Sequence, residues 1–263
     1  MVAWVLIQAP TLLALVMRVL GVIPARLGST RLSNKPLRLL AGEPLVTRVI
    51  QQIEGHELVD QLVVATESPM VAQVVERAGV AAALTAADHL SGTDRVAEVV
   101  GRKEFAGFDV ILNIQGDEPF ISRAAMKGAL DRVAGGDDVG TAAGPLTEEE
   151  AADPSEAKVV TDVTGRALYF SRAVIPHRRD PDVAAEGLYW RHLGIYAYTR
   201  EALARWVACP PTRAEQAEKL EMLRALQHGL SIGVALIDEA PLPGVDTIED
   251  LNRAEALWLA TAR

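Results

Sequence analysis

Short apolar runs alternate with stretches of helical period from residue 19 to residue 143, and that rhythm limits the possible folds more than any other feature of the chain. Val19–Pro24, Gln61–Thr66, Val80–Leu84, Asp109–Gln115 and Val139–Ala143 are short and rich in residues that fit a pleated, buried surface, so they read as strands. Pro44–Ile53, Pro69–Ala78, Thr93–Phe105 and Ala124–Val133 read as the intervening helices; in the first, Leu45, Val49 and Ile53 share a face. This βαβα order predicts an α/β fold, a mainly parallel sheet with helices on both faces. Ligands of such sheets bind beyond the carboxyl ends of the strands.

After residue 144 the rhythm breaks. Lys158–Thr161 and Arg166–Phe170 flank a hairpin turn at Asp162-Val163-Thr164-Gly165, and Leu188–Tyr198 is a long strand. The spacing then predicts one helix over 213–228, with Ala217, Leu220 and Leu223 along one side, a strand at Ser231–Ile237 and a helix at Ile248–Ala262. The chain therefore reads as a single domain over residues 17–263, with an antiparallel β-rich insertion at about 145–198. At 263 residues and 49% hydrophobic it can bury a sizeable core. Residues 1–16 are apolar but lack a basic leading region, and Pro10 interrupts them. They are expected to be an extension upstream of a start at Met17 rather than a targeting or membrane segment.

The charge balance, 26 Lys and Arg against 35 Asp and Glu, argues against non-specific nucleic-acid binding, which depends on neutralising phosphates. A single cysteine, Cys209, permits neither an internal disulfide nor a cysteine-based zinc site and suits a reducing, cytoplasmic setting.

The strand at 109–115 runs into Gly116-Asp117-Glu118-Pro119. Two adjacent carboxylates there cost desolvation unless a positive group meets them, the alternative being a loop of solvated acids. The loop after the first strand, IPARLGSTRLSNKPL (residues 23–37), holds Arg26, Arg31 and Lys35 with Gly28, Ser29 and Thr30 between them. Glycine admits close backbone approach, hydroxyls and amides donate, and cations neutralise, so this loop can wrap a polyphosphate. A basic surface loop is the plainer reading. Neither G-x-x-x-x-G-K-[ST] nor G-x-G-x-x-G occurs. A polyphosphate needs a divalent cation, and Mg2+ is usually held by one or two carboxylates plus phosphate oxygens. Asp117 is placed for that role. Asp246, in GVDTIED, is a second candidate, although it can instead cap the following helix, as Thr247 can.

Other stretches leave two readings open. SGTDRVAEVV (residues 91–100) can face a base or ribose, or simply cap a helix, and ATES (residues 65–68) ends a strand at a pocket rim. In RHLGIY, His192, Gly194 and Tyr196 share one strand face, and YFSR brings Arg172 beside another strand; a lone histidine is more often structural. Glu218, Glu221 and Met222 share a helix face, where close acids are usually solvated.

In this order, IPARLGSTRL-x-x-KPL, SGTDR, NIQGDEP, ALYFSR, RHLGIYAY and VDT-x-ED resemble the motifs of the 3-deoxy-manno-octulosonate (Kdo) cytidylyltransferases, over residues 18 to about 258. The resemblance implies a cytoplasmic homodimer of nucleotide-diphospho-sugar transferase (Rossmann-like) fold. It implies Mg2+-dependent coupling of CTP to Kdo, an acidic eight-carbon sugar, for lipopolysaccharide synthesis. By matching position, Arg26, Ser29 and Lys35 are expected to bind the triphosphate. Ser91, Gly92, Arg95 and Gln115 are expected at the nucleoside, and Asp117 and Asp246 at the metal. Arg172, His192, Tyr196, Glu218 and Glu221 are expected at the sugar. The chain departs from the family at Leu32-Ser33-Asn34-Lys35, where Pro-Gly commonly precedes the lysine, and at Met222, often a glutamine that can hydrogen-bond a sugar. The alternatives are a cytidylyltransferase for 8-amino-Kdo or a sialic acid, and a CTP-sensing module without turnover.

Overall fold

The core strands are apolar on both faces, so helices must cover the sheet on both sides. The computed structural model describes residues 17–28, 32–240, 242 and 244–261; the extension at residues 1–16 lies outside them. The first half supplies β1 (Val19–Pro24), β2 (Leu39–Leu40), β3 (Glu43–Pro44), α1 (Leu45–Glu54), β4 (Gln61–Thr66), α2 (Pro69–Arg77), β5 (Ala81–Leu84), α3 (Gly92–Val100), β6 (Val110–Ile114) and α4 (Arg123–Ala134). The second supplies β7 (Val139–Leu146), α5 (Glu148–Ala151), β8 (Lys158–Thr161), β9 (Ala167–Ser171), β10 (Tyr189–Thr199), α6 (Arg200–Ala208), α7 (Arg213–Glu218), α8 (Met222–Gln227), β11 (Ile232–Leu236) and α9 (Ile248–Thr261).

The main sheet runs β11-β7-β10-β6-β1-β4-β5. β1 pairs in parallel with β4 and β6, β4 with β5, and β11 with β7. Alternate residues divide between two cores, as the pleat requires. Leu20, Val22, Val63 and Ile111 pack with Val96, Val99, Leu203 and Trp206 on one face. Ile23, Val64 and Leu112 pack with Val46, Ile50, Val75 and Met126 on the other. Helix α4 lies so close to β7 that a Cβ at Gly140 would fall 1.9 Å from the Ala129 carbonyl oxygen.

The structure corrects two expectations of the second half. Within 145–198, β8 and β9 form the expected antiparallel hairpin, but β10 lies inside the main sheet, antiparallel to both β6 and β7. The composition of β10 marks it as a strand but carries no information on its direction. Nor is 213–228 one helix: Lys219 adopts a left-handed conformation (φ 54°) that ends α7 before α8 begins. That break buries Leu220 and turns Glu221 toward α3. Helix α6, unassigned from the sequence, is capped by Thr199, whose hydroxyl accepts from Ala202 N, and it buries Trp206.

Candidate active site

The carboxyl ends of β1 and β6 meet the start of α9 in a pocket of about 270 Å³ lined by Arg26, Lys35, Ser91, Gly92, Arg95, Gln115, Asp117 and Asp246. All eight are residues expected to bind nucleotide or metal, Asp117 and Asp246 being the expected metal ligands; Ser29, the ninth, lies outside the described residues. Arg26 is exposed at the rim. Lys35 is presented by a short 3-10 turn, Lys35–Leu37, in which Leu37 N donates to Asn34 O at 2.9 Å. Asn34 holds φ 56°, the left-handed region that glycine or asparagine tolerates. Leu32 anchors the loop in a third apolar cluster with Leu45, Val245 and Leu251, so the lysine loop and the Asp246 loop share one support.

Lys35 Nζ donates to Asp117 Oδ2 at 2.6 Å and to Asp246 Oδ1 at 2.8 Å. Burial disfavours the ammonium, but the charge and hydrogen bond of Asp117, then those of Asp246, outweigh it and hold the Lys35 pKa above its ordinary value. Thr247 and Asp250 close the first turn of α9 by reciprocal bonds, Thr247 N to Asp250 Oδ2 at 2.9 Å and Asp250 N to Thr247 Oγ1 at 3.1 Å. The capping role thus falls to Thr247, and the Asp246 carboxylate faces Lys35. Two carboxylates on one cation form an oxygen-only donor set suited to a hard divalent ion completed by phosphate oxygens, so these residues fit Mg2+. Glu118 lines a second cavity of about 500 Å³, which shares Asp117 and Asp246 and is lined also by Asp153, Glu156, Arg191 and Arg253. Burial, then the charge of Asp117, raises the Glu118 pKa, with Arg191 only partly opposing. A Cβ at Gly244 would fall 2.9 Å from Glu118 Oε1, so glycine there makes room for this side chain beneath the Asp246 loop.

On the opposite rim Ser91 caps α3, accepting from Asp94 N at 3.1 Å. The Ser91 stretch therefore both caps a helix and lines the pocket. A Cβ at Gly92 would make only ordinary van der Waals contact with Pro24 Cγ at 3.4 Å and Gln115 Oε1 at 3.7 Å. Gln115 Nε2 donates to Asn113 Oδ1 at 3.4 Å. Arg95 is buried, and its guanidinium engages Glu67, Thr85 and the Ala86 carbonyl.

The five expected sugar residues do not line either cavity. Glu221 comes nearest, accepting from Ser91 Oγ at 2.9 Å and Thr93 Oγ1 at 3.0 Å, and burial raises its pKa. Glu218 accepts from Ser171 Oγ at 2.7 Å and Arg172 N at 2.9 Å. The Arg172 guanidinium donates to the carbonyls of Glu218, Pro154 and Ser155. His192 is buried edge-on to Phe170 with ring centroids 5.1 Å apart, and Tyr196 stacks on Tyr198 at 5.9 Å. Thr141 Oγ1 spends its one proton on Ile195 O at 2.7 Å, so at 3.0 Å it accepts from His192 Nε2–H. Burial, then Arg191, lowers the His192 pKa to about 3. Met222 is buried in the apolar cluster of Trp206 and Leu223 and lines neither of these cavities. Glu67 falls in ATES, the stretch expected at a pocket rim, whereas Asn113 and Arg191 are not singled out from the sequence as site residues.

A basic loop, paired carboxylates and a polar rim at one edge of a doubly wound sheet are the makings of an α/β nucleotidyltransferase. A family model described as cytidylyltransferase matches residues 20–232. A 3-deoxy-manno-octulosonate cytidylyltransferase of Gemmatimonas aurantiaca is 52% identical over 92% of this chain and 95% of that protein. One from an Anaeromyxobacter species is 47% identical over 94% and 99%. The solved structure of a CMP:2-keto-3-deoxy-manno-octonic acid synthetase complexed with CTP superposes with a TM-score of 0.86 at 39% identity, over 93% of this chain and 99% of that one. A 4-diphosphocytidyl-2C-methyl-D-erythritol synthase shares the fold, with a TM-score of 0.61 at 14% identity over 92% and 98%. The chain belongs to the cytidylyltransferase family, among the 3-deoxy-manno-octulosonate cytidylyltransferases.

Proposed function

We propose that the chain transfers CMP from CTP to Kdo, with Mg2+, releasing pyrophosphate and supplying CMP-Kdo for lipopolysaccharide. The observation that carries this reading is the Lys35 ammonium held between Asp117 and Asp246 beside a pocket rimmed by Arg26 and Gln115. The names of the relatives and the CTP complex of the neighbouring structure support the substrates. The anomeric hydroxyl of the sugar attacks the α-phosphorus, a new P–O bond forms, and the bond to the β-phosphate breaks. The hydroxyl proton passes to solvent. Arg26 and Lys35 stabilise the charge gathering on the departing pyrophosphate. Asp117 and Asp246 would hold the metal, which would supply positive charge against the phosphates and Lewis-acid activation of the attacking hydroxyl. No side chain forms a covalent intermediate, so the protein contributes position and electrostatics.

In this proposal Arg172, His192, Tyr196, Glu218 and Glu221 receive the sugar, with Arg172 for its carboxylate. That role requires the guanidinium to release the carbonyls of Pro154 and Ser155. The proposed assembly is a homodimer, supported by exposed apolar Leu168, Val174 and Val183 on and beyond the β8–β9 hairpin. A cytoplasmic location is part of the same reading; no described helix is long and apolar enough to cross a membrane. Phosphorus NMR of a mixture of enzyme, CTP, Kdo and Mg2+ tests the reaction. A phosphodiester and free pyrophosphate are expected in equal amounts; inorganic phosphate in their place would contradict transfer.

A further inference from the structure

Four segments at the carboxyl edge of the sheet meet at one ion pair that the proposed chemistry does not use. Glu67 follows β4 directly. Its Oε1 accepts the Leu27 N–H at 2.7 Å, and its Oε2 lies 3.0 Å from Arg95 Nη1. The same Arg95 nitrogen donates to Thr85 Oγ1 and, at 3.2 Å, to the Ala86 carbonyl. One pair therefore ties the loop after β1, the loop after β4, the loop after β5 and the first turn of α3. Both side chains are largely withdrawn from solvent, Arg95 at 4% exposure and Glu67 at 19%. The tied segments are the ones that wall the pocket: Ala25 and Arg26 immediately precede Leu27, and His89 to Gly92 lead into α3.

We propose that Glu67 is a positioning residue for nucleotide binding, fixing the phosphate loop at Leu27 while Arg95 neutralises its charge. The inference rests on the nucleotide reading above. A carboxylate beside a polyphosphate site repels the ligand unless a cation is held against it, and Arg95 is that cation. The carboxylate presents one oxygen to each partner: Oε1 accepts from Leu27, and Oε2 lies in an ion pair with Arg95 without hydrogen-bond geometry. Glutamine offers one acceptor and one donor, so at position 67 it can serve Leu27 or Arg95 but not both. Aspartate is one methylene shorter and cannot span the same two partners.

The roles separate by the sign of a double substitution. Glu67→Gln should weaken CTP binding about tenfold, the size of one charge-assisted hydrogen bond, and raise the KM for CTP by a similar factor, with kcat within about threefold. Arg95→Met leaves the Glu67 charge uncompensated and should weaken CTP further. In the Arg95→Met background, however, Glu67→Gln should tighten CTP, because it removes the repulsive charge and frees the amide oxygen for Leu27. Calorimetric titration of CTP into the wild type, both single variants and the double variant, with melting temperatures alongside, tests this. Sign reversal supports the proposal. An unchanged CTP Kd in Glu67→Gln, a near-isosteric variant, overturns it, as do two losses of melting temperature that add while the Kd values stay level. A wild type that does not bind CTP overturns the nucleotide reading itself, and this inference with it.

Discussion

Lys35 Nζ lies 2.6 Å from Asp117 Oδ2, an ion pair between the loop after β1 and the end of β6. Asp246 meets the same nitrogen at 2.8 Å. In the nucleotide-free protein the lysine thus stands where a cation between the two carboxylates would be most stabilised. Lys35→Met should therefore tighten Mn2+ binding to the nucleotide-free protein, because it removes a competing charge, while turnover with CTP falls by about a hundredfold or more. Electron paramagnetic resonance titration of Mn2+ reads the first effect. Weaker Mn2+ binding in the variant would mean that the lysine does not compete for this site.

The buried imidazole of His192 sets an acid limit on stability. Its pKa is held at about 3 in the folded chain, against about 6.5 in an unfolded one. Between those values the unfolded state binds more protons, so stability rises with pH there. The contribution is fully present above about pH 6.5 and is lost as pH falls toward 3, with a slope of up to about 1.4 kcal/mol per pH unit. Urea unfolding from pH 7 to pH 5 should show this slope, and His192→Gln, which keeps a donor for Thr141, should lower it. An equal slope in the variant would place the titrating group elsewhere.

Met222 gives the opposite lesson from the one its position in the motif suggests. It is 5% exposed and packs with Leu223 and Trp206. Met222→Gln would bury an amide among apolar side chains, with an expected loss of about 1–3 kcal/mol of stability. The ratio of kcat/KM for Kdo and an analogue altered at one hydroxyl should not move. A changed ratio with unchanged stability would return this side chain to the sugar pocket.

The third apolar cluster supports the site from below. Trp258 on α9 packs on Phe120 with ring centroids 5.7 Å apart, and the Arg48 guanidinium lies 4.8 Å above its ring. Phe120 follows the Asp117 turn, and Val245 in the same cluster precedes Asp246. Trp258→Ala should cost about 2–3 kcal/mol, less than a fully buried tryptophan, and should also raise the Mg2+ concentration needed for half-maximal turnover. Lost stability with an unchanged Mg2+ requirement would show that the cluster does not set the spacing of the aspartates.

Much of this was legible in the sequence because it depends on local pattern. Val19–Pro24 and Gln61–Thr66 were bounded to the residue by their β-branched runs, and Lys35, Asp117 and Asp246 fall in the segments that follow β1, β6 and β11, which the topology gathers. The remainder depends on tertiary pairing. Nothing in Tyr189–Thr199 says that it runs antiparallel through the centre of the sheet, since alternation is the same in either direction. The left-handed Lys219 has no glycine to announce it, so the helical period of 213–228 conceals the break that brings Glu221 to Ser91. The Glu67–Arg95 pair joins the loop after β4 to the first turn of α3 and leaves no spacing to read.

The central claim is cytidylyl transfer to Kdo at the Asp117–Lys35–Asp246 cluster. Its most direct test is pyrophosphate release with each nucleoside triphosphate against Kdo, 8-amino-Kdo and a sialic acid, for the wild type and Asp117→Asn at saturating Mg2+. The account predicts efficient release with CTP and Kdo, little with the other pairs, and a fall of about a hundredfold or more in Asp117→Asn, as expected when a metal ligand loses its charge. Equal release with a sialic acid, or near-normal turnover by Asp117→Asn, would contradict it.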